Sequence, residues 1–309
     1  MRIEYHRSLI ADRVRNAAFE RALAAVIKPG KTVVADIGAG TGLLGLMAAK
    51  LGAREVYLYE VEEVASVAAK VLKANRVRNC HLMPCHSMEM QDPPLVDVVV
   101  SETLGNYAFE ENIIETLNDA RRRYLKPGGV MIPSRITQAV APVTVDRLHK
   151  ELCVWDETGF DLSLAQTMSL NNIYVRKLKQ GELLDGGESA KTWDAVDFSR
   201  HNASTRKGEV TWRLTEPATV YGFATWWTAQ LAGGVELSTA PGAPATHWEQ
   251  LYFPVLSPIK ARAGDTVGIS LRSRTSMAEG THIAWTATHT DRRGRASRQA
   301  LNLDKGFLP

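Results

Sequence analysis

The stretch Val33-Val34-Ala35-Asp36-Ile37-Gly38-Ala39-Gly40-Thr41-Gly42-Leu43-Leu44 passes from an apolar run through three alternating glycines into a helix-forming segment. That pattern predicts a strand, a tight turn and a helix, with Gly38 and Gly40 letting the backbone approach a ligand without Cβ interference. The spacing is Gly-x-Gly-x-Gly rather than the Gly-x-Gly-x-x-Gly of dinucleotide loops, and no Gly-Lys-Ser/Thr follows to cradle phosphates. A ligand free of phosphate fits this loop better.

Working outward, apolar positions at Leu9, Val14, Ala17, Ala18, Ala22 and Ile27 predict one or two turns of amphipathic helix leading into a longer one, stopped by Lys28-Pro29-Gly30. After the glycine turn the pattern predicts helix over 43–51, strand over 56–59, helix over 62–75, strands over 81–84 and 96–100, helix over 109–125 and strand over 130–132. This alternation gives a parallel sheet with helices on both faces, a Rossmann-like domain. From Ala139 the chain changes character. Segments 209–214, 219–229, 234–238, 266–272 and 282–289 are short, rich in Thr, Val and Trp, and separated by turn residues, as expected of antiparallel strands in a barrel or sandwich. Every tryptophan lies at Trp155 or later, which sets a boundary near residues 133–141. Residues 156–205 have low apolar density and read as an excursion from the barrel. The expected organisation is a helical segment over 1–30, a Rossmann-like domain over 31–136, and a β-barrel-like domain over 137–309 with an arm at about 155–205.

Composition narrows the function classes. With 45% hydrophobic and 23% charged residues among 309, the chain is neither disordered nor fibrous. The balance of 37 Lys+Arg against 34 Asp+Glu, a formal charge of +3, is too mild to call for a nucleic-acid partner. Arg121-Arg122-Arg123 and Arg292-Arg293-Gly294-Arg295 read as solvated surface, the first favoured by a helix C-terminus. Cys80, Cys85 and Cys153 make neither a ligand cluster nor a disulfide framework, so no metal and a reducing, cytoplasmic setting are expected. No apolar run of about 18 residues is present to span a membrane.

Asp36 closes the first strand, where a carboxylate orders the glycine turn and faces a cationic methionine moiety. Glu60 closes the second, where it accepts the two hydroxyls of a ribose. With Gly38, Gly40 and Gly42 and the missing phosphate motifs, these residues point to S-adenosylmethionine. Met88 and Glu89, after the third strand, are the candidates for reading the adenine edge.

Ser101-Glu102-Thr103-Leu104-Gly105-Asn106-Tyr107-Ala108-Phe109-Glu110-Glu111 begins at the C-terminal end of the fourth strand, the sheet edge at which ligands bind. Glu111 is expected to enter the following helix, with Glu110 exposed in its first turn. Bringing Glu102 and Glu111 together is costly unless a cation lies between them, because like charges at close range raise one pKa. A guanidinium, planar and always charged, matches two-oxygen recognition.

At these residues the chain resembles the protein arginine methyltransferase family. The resemblance is carried by the glycine turn with Glu60, the loop from Glu102 to Glu111, Thr246-His247-Trp248, and Asp12 with Arg15, and it covers residues 5 to about 255. It implies that Glu102 and Glu111 hold the substrate guanidinium, that Arg15 contacts the cofactor carboxylate and steadies the glutamate loop, that His247 pairs with Asp12, and that Trp248 walls the arginine channel. It also implies a homodimer, with Trp155 to Ser163 starting the arm. Two departures stand out. Of the family's paired-aromatic N-terminal motif only Tyr5 remains, followed by His6, and Leu9 and Ile113 occupy the places of two crowding methionines. The expected reaction is direct displacement, a guanidino nitrogen taking the sulfonium methyl, with arginine in a protein or peptide as acceptor. The alternative acceptor is free L-arginine or another guanidino metabolite.

Overall fold

The computed structural model describes residues 3–306; within it the side chains of Tyr5, Asp156 and Glu157 lie outside the described residues, so the expectation resting on Tyr5 is not addressed. Asp12 divides the N-terminal helical pattern in two. Its carboxylate accepts the Arg15 backbone N–H at 2.9 Å as an N-cap, which separates α1 (Ile3–Ala11) from α2 (Arg13–Val26). Ala18, Phe19, Ala22 and Leu23 form the buried stripe of α2 and join the core of the parallel sheet.

The next elements are β1 (Val33–Ile37), α3 (Leu43–Lys50), β2 (Glu55–Tyr59), α4 (Ala65–Ala74), β3 (Cys80–Met83), β4 (Val96–Ser101), α5 (Ile113–Arg123) and β5 (Leu125–Ile132). The five strands form a sheet in the order β3-β2-β1-β4-β5. β1 pairs in parallel with both β2 and β4, Ile37 lying opposite Tyr59 and Ser101. The strand order reverses at β1, so the crevice between the loops after Ile37 and Ser101 is the natural ligand site. Ser101 closes that edge with its hydroxyl on the Ile37 carbonyl at 2.9 Å.

One expected boundary is wrong in an informative way. Helix does not begin at 109: residues 108–111 turn, Asn112 takes the left-handed conformation (φ 57°, ψ 26°), and α5 starts at Ile113. An L-residue in that region cannot continue a right-handed helix, so Glu110 and Glu111 sit on a folded loop rather than in a first helical turn.

The remainder is mainly antiparallel strand: β6 (Arg135–Val143), β7 (Tyr174–Arg176), β8 (Lys191–Asp197), β9 (Thr205–Arg213), β10 (Ala218–Gln230), β11 (Glu236–Ser238), β12 (Gln250–Ala261), β13 (Thr266–Ser276), β14 (Gly280–Thr290) and β15 (Ala296–Asn302). They form one sheet in the order β7-β12-β10-β6-β8, with β11 beside β10, and a second in the order β15-β14-β13-β9. The two contribute to a single barrel-like core that includes Trp212, Phe223, Trp227, Phe253 and Trp285. β12 escapes the sequence reading because Pro254 and Pro258 interrupt it. The structure absorbs them in a register shift, Val220 pairing with Ile259 and Gly222 with Pro254. The excursion expected over 155–205 is shorter than that, because Tyr174–Arg176 and Lys191–Asp197 return to the two edges of the first sheet. The helical part of the excursion is α6 (Arg147–Leu152), a 3₁₀ turn over Val154–Thr158 and α7 (Ser163–Leu170), with Leu148, Leu152 and Leu170 packed on the first sheet.

Phe19 anchors α2, and through it Asp12 and Arg15. Phe19→Ala is expected to cost about 3–5 kcal/mol of unfolding free energy in urea titrations, as truncation of a fully buried aromatic does; a loss below about 0.5 kcal/mol, the range of surface changes, would show that the helix is held by something else.

Candidate active site

Above the crevice lies a cavity of about 470 Å³ whose wall brings together the glycine turn, α1 and α2, the end of β2 and the glutamate loop. Its chemistry fits a methionine-derived cation. Asp36 is buried on β1; Oδ2 accepts the Gly45 N–H at 2.8 Å, while Oδ1 is buried without a partner. Burial pushes its carboxyl up to about 7 against the pull of that N–H and of Arg15, so a cation delivered to Oδ1 would be strongly welcomed. The turn itself demands glycine at position 38, where φ is +71° and a Cβ would meet Thr103 Cγ2 at 2.5 Å. Glu60 accepts the N–H groups of Gly40 at 2.7 Å and Glu62 at 2.8 Å. A carboxylate has about four lone-pair sites, so two remain for ribose hydroxyls.

Three residues expected at the cofactor lie outside this wall. Gly42 faces the sheet, not the cavity: a Cβ there would stand 3.2 Å from Leu58, so this glycine serves helix packing. Met88 opens into a separate surface hollow with Gln91, Asp92 and Arg123, and Glu89 is not in the cavity wall either. The wall at that end is His86, whose Nδ1 accepts the Met88 N–H at 3.2 Å and caps a 3₁₀ turn, directing the following residues away.

The glutamate loop is held from several sides. Arg15 donates Nε to Glu102 Oε2 at 2.6 Å and brings Nη2 to the same oxygen, with Nη1 on Asn16 Oδ1 at 2.7 Å. Burial raises the Glu102 carboxyl while Arg15 opposes it. Such a pair is valuable less for its net energy than because removing one partner strands a buried charge, at roughly 3–5 kcal/mol. Glu111 sits at the rim of the same cavity, its residue open to solvent on one side and without a hydrogen-bond or ion-pair partner among the described residues. Loss of bulk water and the negative charges of Glu102, Glu110 and Glu60 push it up to about 7. Glu110 is turned back on its own loop, Oε1 accepting the Tyr107 N–H at 3.3 Å.

The barrel completes the frame. His247 Nδ1 and its backbone N–H both lie 2.8 Å from Asp12 Oδ2. Burial works to raise the Asp12 carboxyl, but the N–H groups of Arg15 and His247 outweigh it and lower it. The Trp248 indole donates to the Leu104 carbonyl at 2.7 Å, its ring 3.9 Å from that of His247. Trp227 donates to the next carbonyl, Gly105, at 3.0 Å. Tyr107 reaches into the barrel to Ser273 at 2.5 Å. Neither the Trp227 bond to the loop nor the reach of Tyr107 was signalled by the sequence; only the β10 register reveals which indole faces the loop. The sequence reading also passed over His6 as a site residue. The imidazole is buried in the cavity wall with Nε2 unpartnered, and burial lowers its pKa. Leu9 lines the cavity, whereas Ile113 is fully buried outside its wall.

The chain is similar to known proteins over most of its length. The model of the arginine methyltransferase oligomerization subdomain matches residues 135–286, and that of ribosomal protein L11 methyltransferase matches 20–157. Protein arginine N-methyltransferase 6 of Xenopus tropicalis is 30% identical over 262 residues, spanning 80% of this chain and 77% of that one. Arginine N(omega)-methyltransferase of Streptomyces achromogenes subsp. streptozoticus is 30% identical over 275 residues, spanning 86% and 75%. The chain belongs to the protein arginine methyltransferase family. The fold agrees: the Trypanosoma brucei PRMT1 enzyme-prozyme heterotetrameric complex with AdoHcy superimposes with a TM-score of 0.84 at 22% identity, over 96% of this chain and 97% of that one. Arabidopsis thaliana protein arginine methyltransferase 10 gives 0.81 at 22% identity, over 98% of both. Like the family, this enzyme is an S-adenosylmethionine-dependent N-methyltransferase. No helix among its described residues is long and apolar enough to cross a membrane.

The raised carboxyl of Glu111 carries a stability cost. Its ionised form is disfavoured in the folded enzyme, so the cost is absent below the ordinary glutamate range and fully present above about 7. Glu111→Gln is therefore expected to be more stable than the wild type at pH 8, with the difference vanishing on acidification in parallel thermal melts. Equal melts at both pH values would remove the electrostatic reading.

Proposed function

We propose that the enzyme transfers the methyl group of S-adenosylmethionine to a terminal guanidino nitrogen of arginine, with Glu102 and Glu111 as the guanidinium clamp. The observation that carries this is the convergence of two carboxylates on one cavity that also contains the cofactor-type glycine turn. S-adenosylmethionine supplies the electrophilic methyl. Asp36, Gly38, Gly40 and Glu60 hold it, and Arg15 faces its carboxylate while fixing Glu102 by the Nε bond already in place. Glu102 and Glu111 draw the positive charge of the acceptor onto the nitrogens they bind, which leaves the remaining nitrogen more nucleophilic. A free guanidinium does not deprotonate near neutrality, so the proton leaves as the methyl arrives. The Glu111 carboxylate, on the rim of the same cavity, takes it. His247 and Asp12 keep the Thr246–Trp248 loop against the glutamate loop, and Trp248 walls the acceptor side. The three free cysteines suit the reducing cytoplasm.

We also propose a homodimer through the arm. Phe160, Leu164 and Met168 are 77%, 66% and 45% exposed, an apolar surface that a monomer rarely leaves uncovered, and the matching subdomain model is named for oligomerization. Light scattering should give a dimer mass for the wild type and a monomer mass for Phe160→Asp/Leu164→Asp; a monomeric wild type would end this reading.

For the reaction, Glu102→Gln and Glu111→Gln are each expected to lower kcat/KM by about 10²–10³-fold while calorimetric binding of S-adenosylhomocysteine persists. The wild-type kcat/KM should climb with pH and level off above about 7 as Glu111 ionises, a limb that Glu111→Gln abolishes. Full activity in either variant would overturn the clamp.

A further inference from the structure

The exposed Lys177 ammonium and the half-buried Glu249 carboxylate stand close to the glutamate loop without a partner among the described residues. β7 runs antiparallel to β12 with Arg176 opposite Gln250, so Lys177 and Glu249 are facing neighbours where the pairing ends. Together with Trp248 they line a small cavity of about 80 Å³, closed by the 239–246 loop, and they are its only charged wall residues. The other polar groups there are spent inside the protein. Gln250 binds the Leu178 N–H and the Thr239 carbonyl, each at 2.8 Å, and the Thr246 hydroxyl donates to the Trp248 carbonyl at 3.3 Å. Among the described residues the Lys177 ammonium and the Glu249 carboxylate make no hydrogen bond or ion pair, not even with each other.

The wall of this hollow is hydrogen-bonded to the glutamate loop. Trp248, one of its walls, carries the Leu104 carbonyl of the glutamate loop, and the Glu249 backbone N–H donates to the Asn106 side chain of that loop at 2.8 Å. Two opposite charges held apart in one small space match a zwitterion. A free amino acid offers an ammonium and a carboxylate on a single carbon, whereas a residue within a peptide offers two neutral amides and a chain continuing in both directions. We propose that Lys177 and Glu249 form a head-group subsite, Lys177 for the α-carboxylate and Glu249 for the α-ammonium, and that the acceptor is free L-arginine. The proposal rests on the guanidino reading of Glu102 and Glu111.

The test is a comparison of kcat/KM for L-arginine, agmatine, Nα-acetyl-L-arginine amide and an arginine-rich peptide, using the wild type, Lys177→Met and Glu249→Gln. Agmatine lacks the carboxylate and the acetyl amide lacks both charges. The wild type is expected to favour L-arginine over the acetyl amide and the peptide. Loss of a charge-assisted contact in Lys177→Met should lower the ratio of L-arginine to agmatine by about tenfold or more. Glu249→Gln should lower the ratio of L-arginine to acetyl amide. Wild-type turnover of the acetyl amide or peptide equal to that of L-arginine overturns the subsite without touching the guanidino reading, and this comparison needs no variant to fold. A ratio unmoved by Lys177→Met overturns it as well. Failure to methylate any of the four acceptors, with S-adenosylhomocysteine still bound, overturns both readings.

Discussion

Electrostatic repulsion between two carboxylates on one cavity is the constraint around which this enzyme is organised. Glu102 is buried and Glu111 sits at the rim of the same cavity, beside the further charges of Glu110 and Glu60. Left to itself such a cluster relaxes by moving apart or by taking up protons. One cation, Arg15, neutralises Glu102 from below. The charge on Glu111 is left for a ligand to complete, and its pKa near neutrality is the signature of that incompleteness.

Holding the cluster in place falls to elements far apart in sequence. Asp12 caps a helix with one oxygen and receives His247 with the other, so a single carboxylate joins the N-terminal helices to the barrel. Trp227 and Trp248 grip consecutive carbonyls of the glutamate loop, and Tyr107 sends its hydroxyl back to Ser273. Each bond satisfies a backbone or hydroxyl group that would otherwise be buried without a partner, at roughly 1–3 kcal/mol apiece. The barrel thus clamps the glutamate loop.

The first half of the fold was legible because its signals are local. Apolar runs, glycine punctuation and acidic strand ends specify the alternation from Val33 to Ser101, and the parallel sheet follows. The second half was less so. Pro254 and Pro258 disguise β12, whose pairing is rescued by a shift opposite β10 that no local pattern announces. Within the site, Glu102, Glu111, Asp12 and His247 could be named from motif residues. Which way Gly42 and Met88 face was not legible, because position in a loop does not give the direction of a Cα–Cβ bond. Tyr107 and Trp227 depend on contacts across more than a hundred residues, and Lys177 meets Glu249 only through the register of β7 and β12, neither of which local spacing encodes.

The most direct test of the central claim is the titration of Glu111 itself, followed by carbon NMR of ¹³C-carboxyl-labelled glutamate in the enzyme with S-adenosylhomocysteine, before and after saturation with L-arginine, and with Glu111→Gln for assignment. A clamp missing its cation requires a Glu111 pKa near 7 that falls towards the ordinary carboxylate range when the guanidinium arrives. A Glu111 pKa that is ordinary from the start, or one that stays near 7 in the saturated complex, would contradict the account.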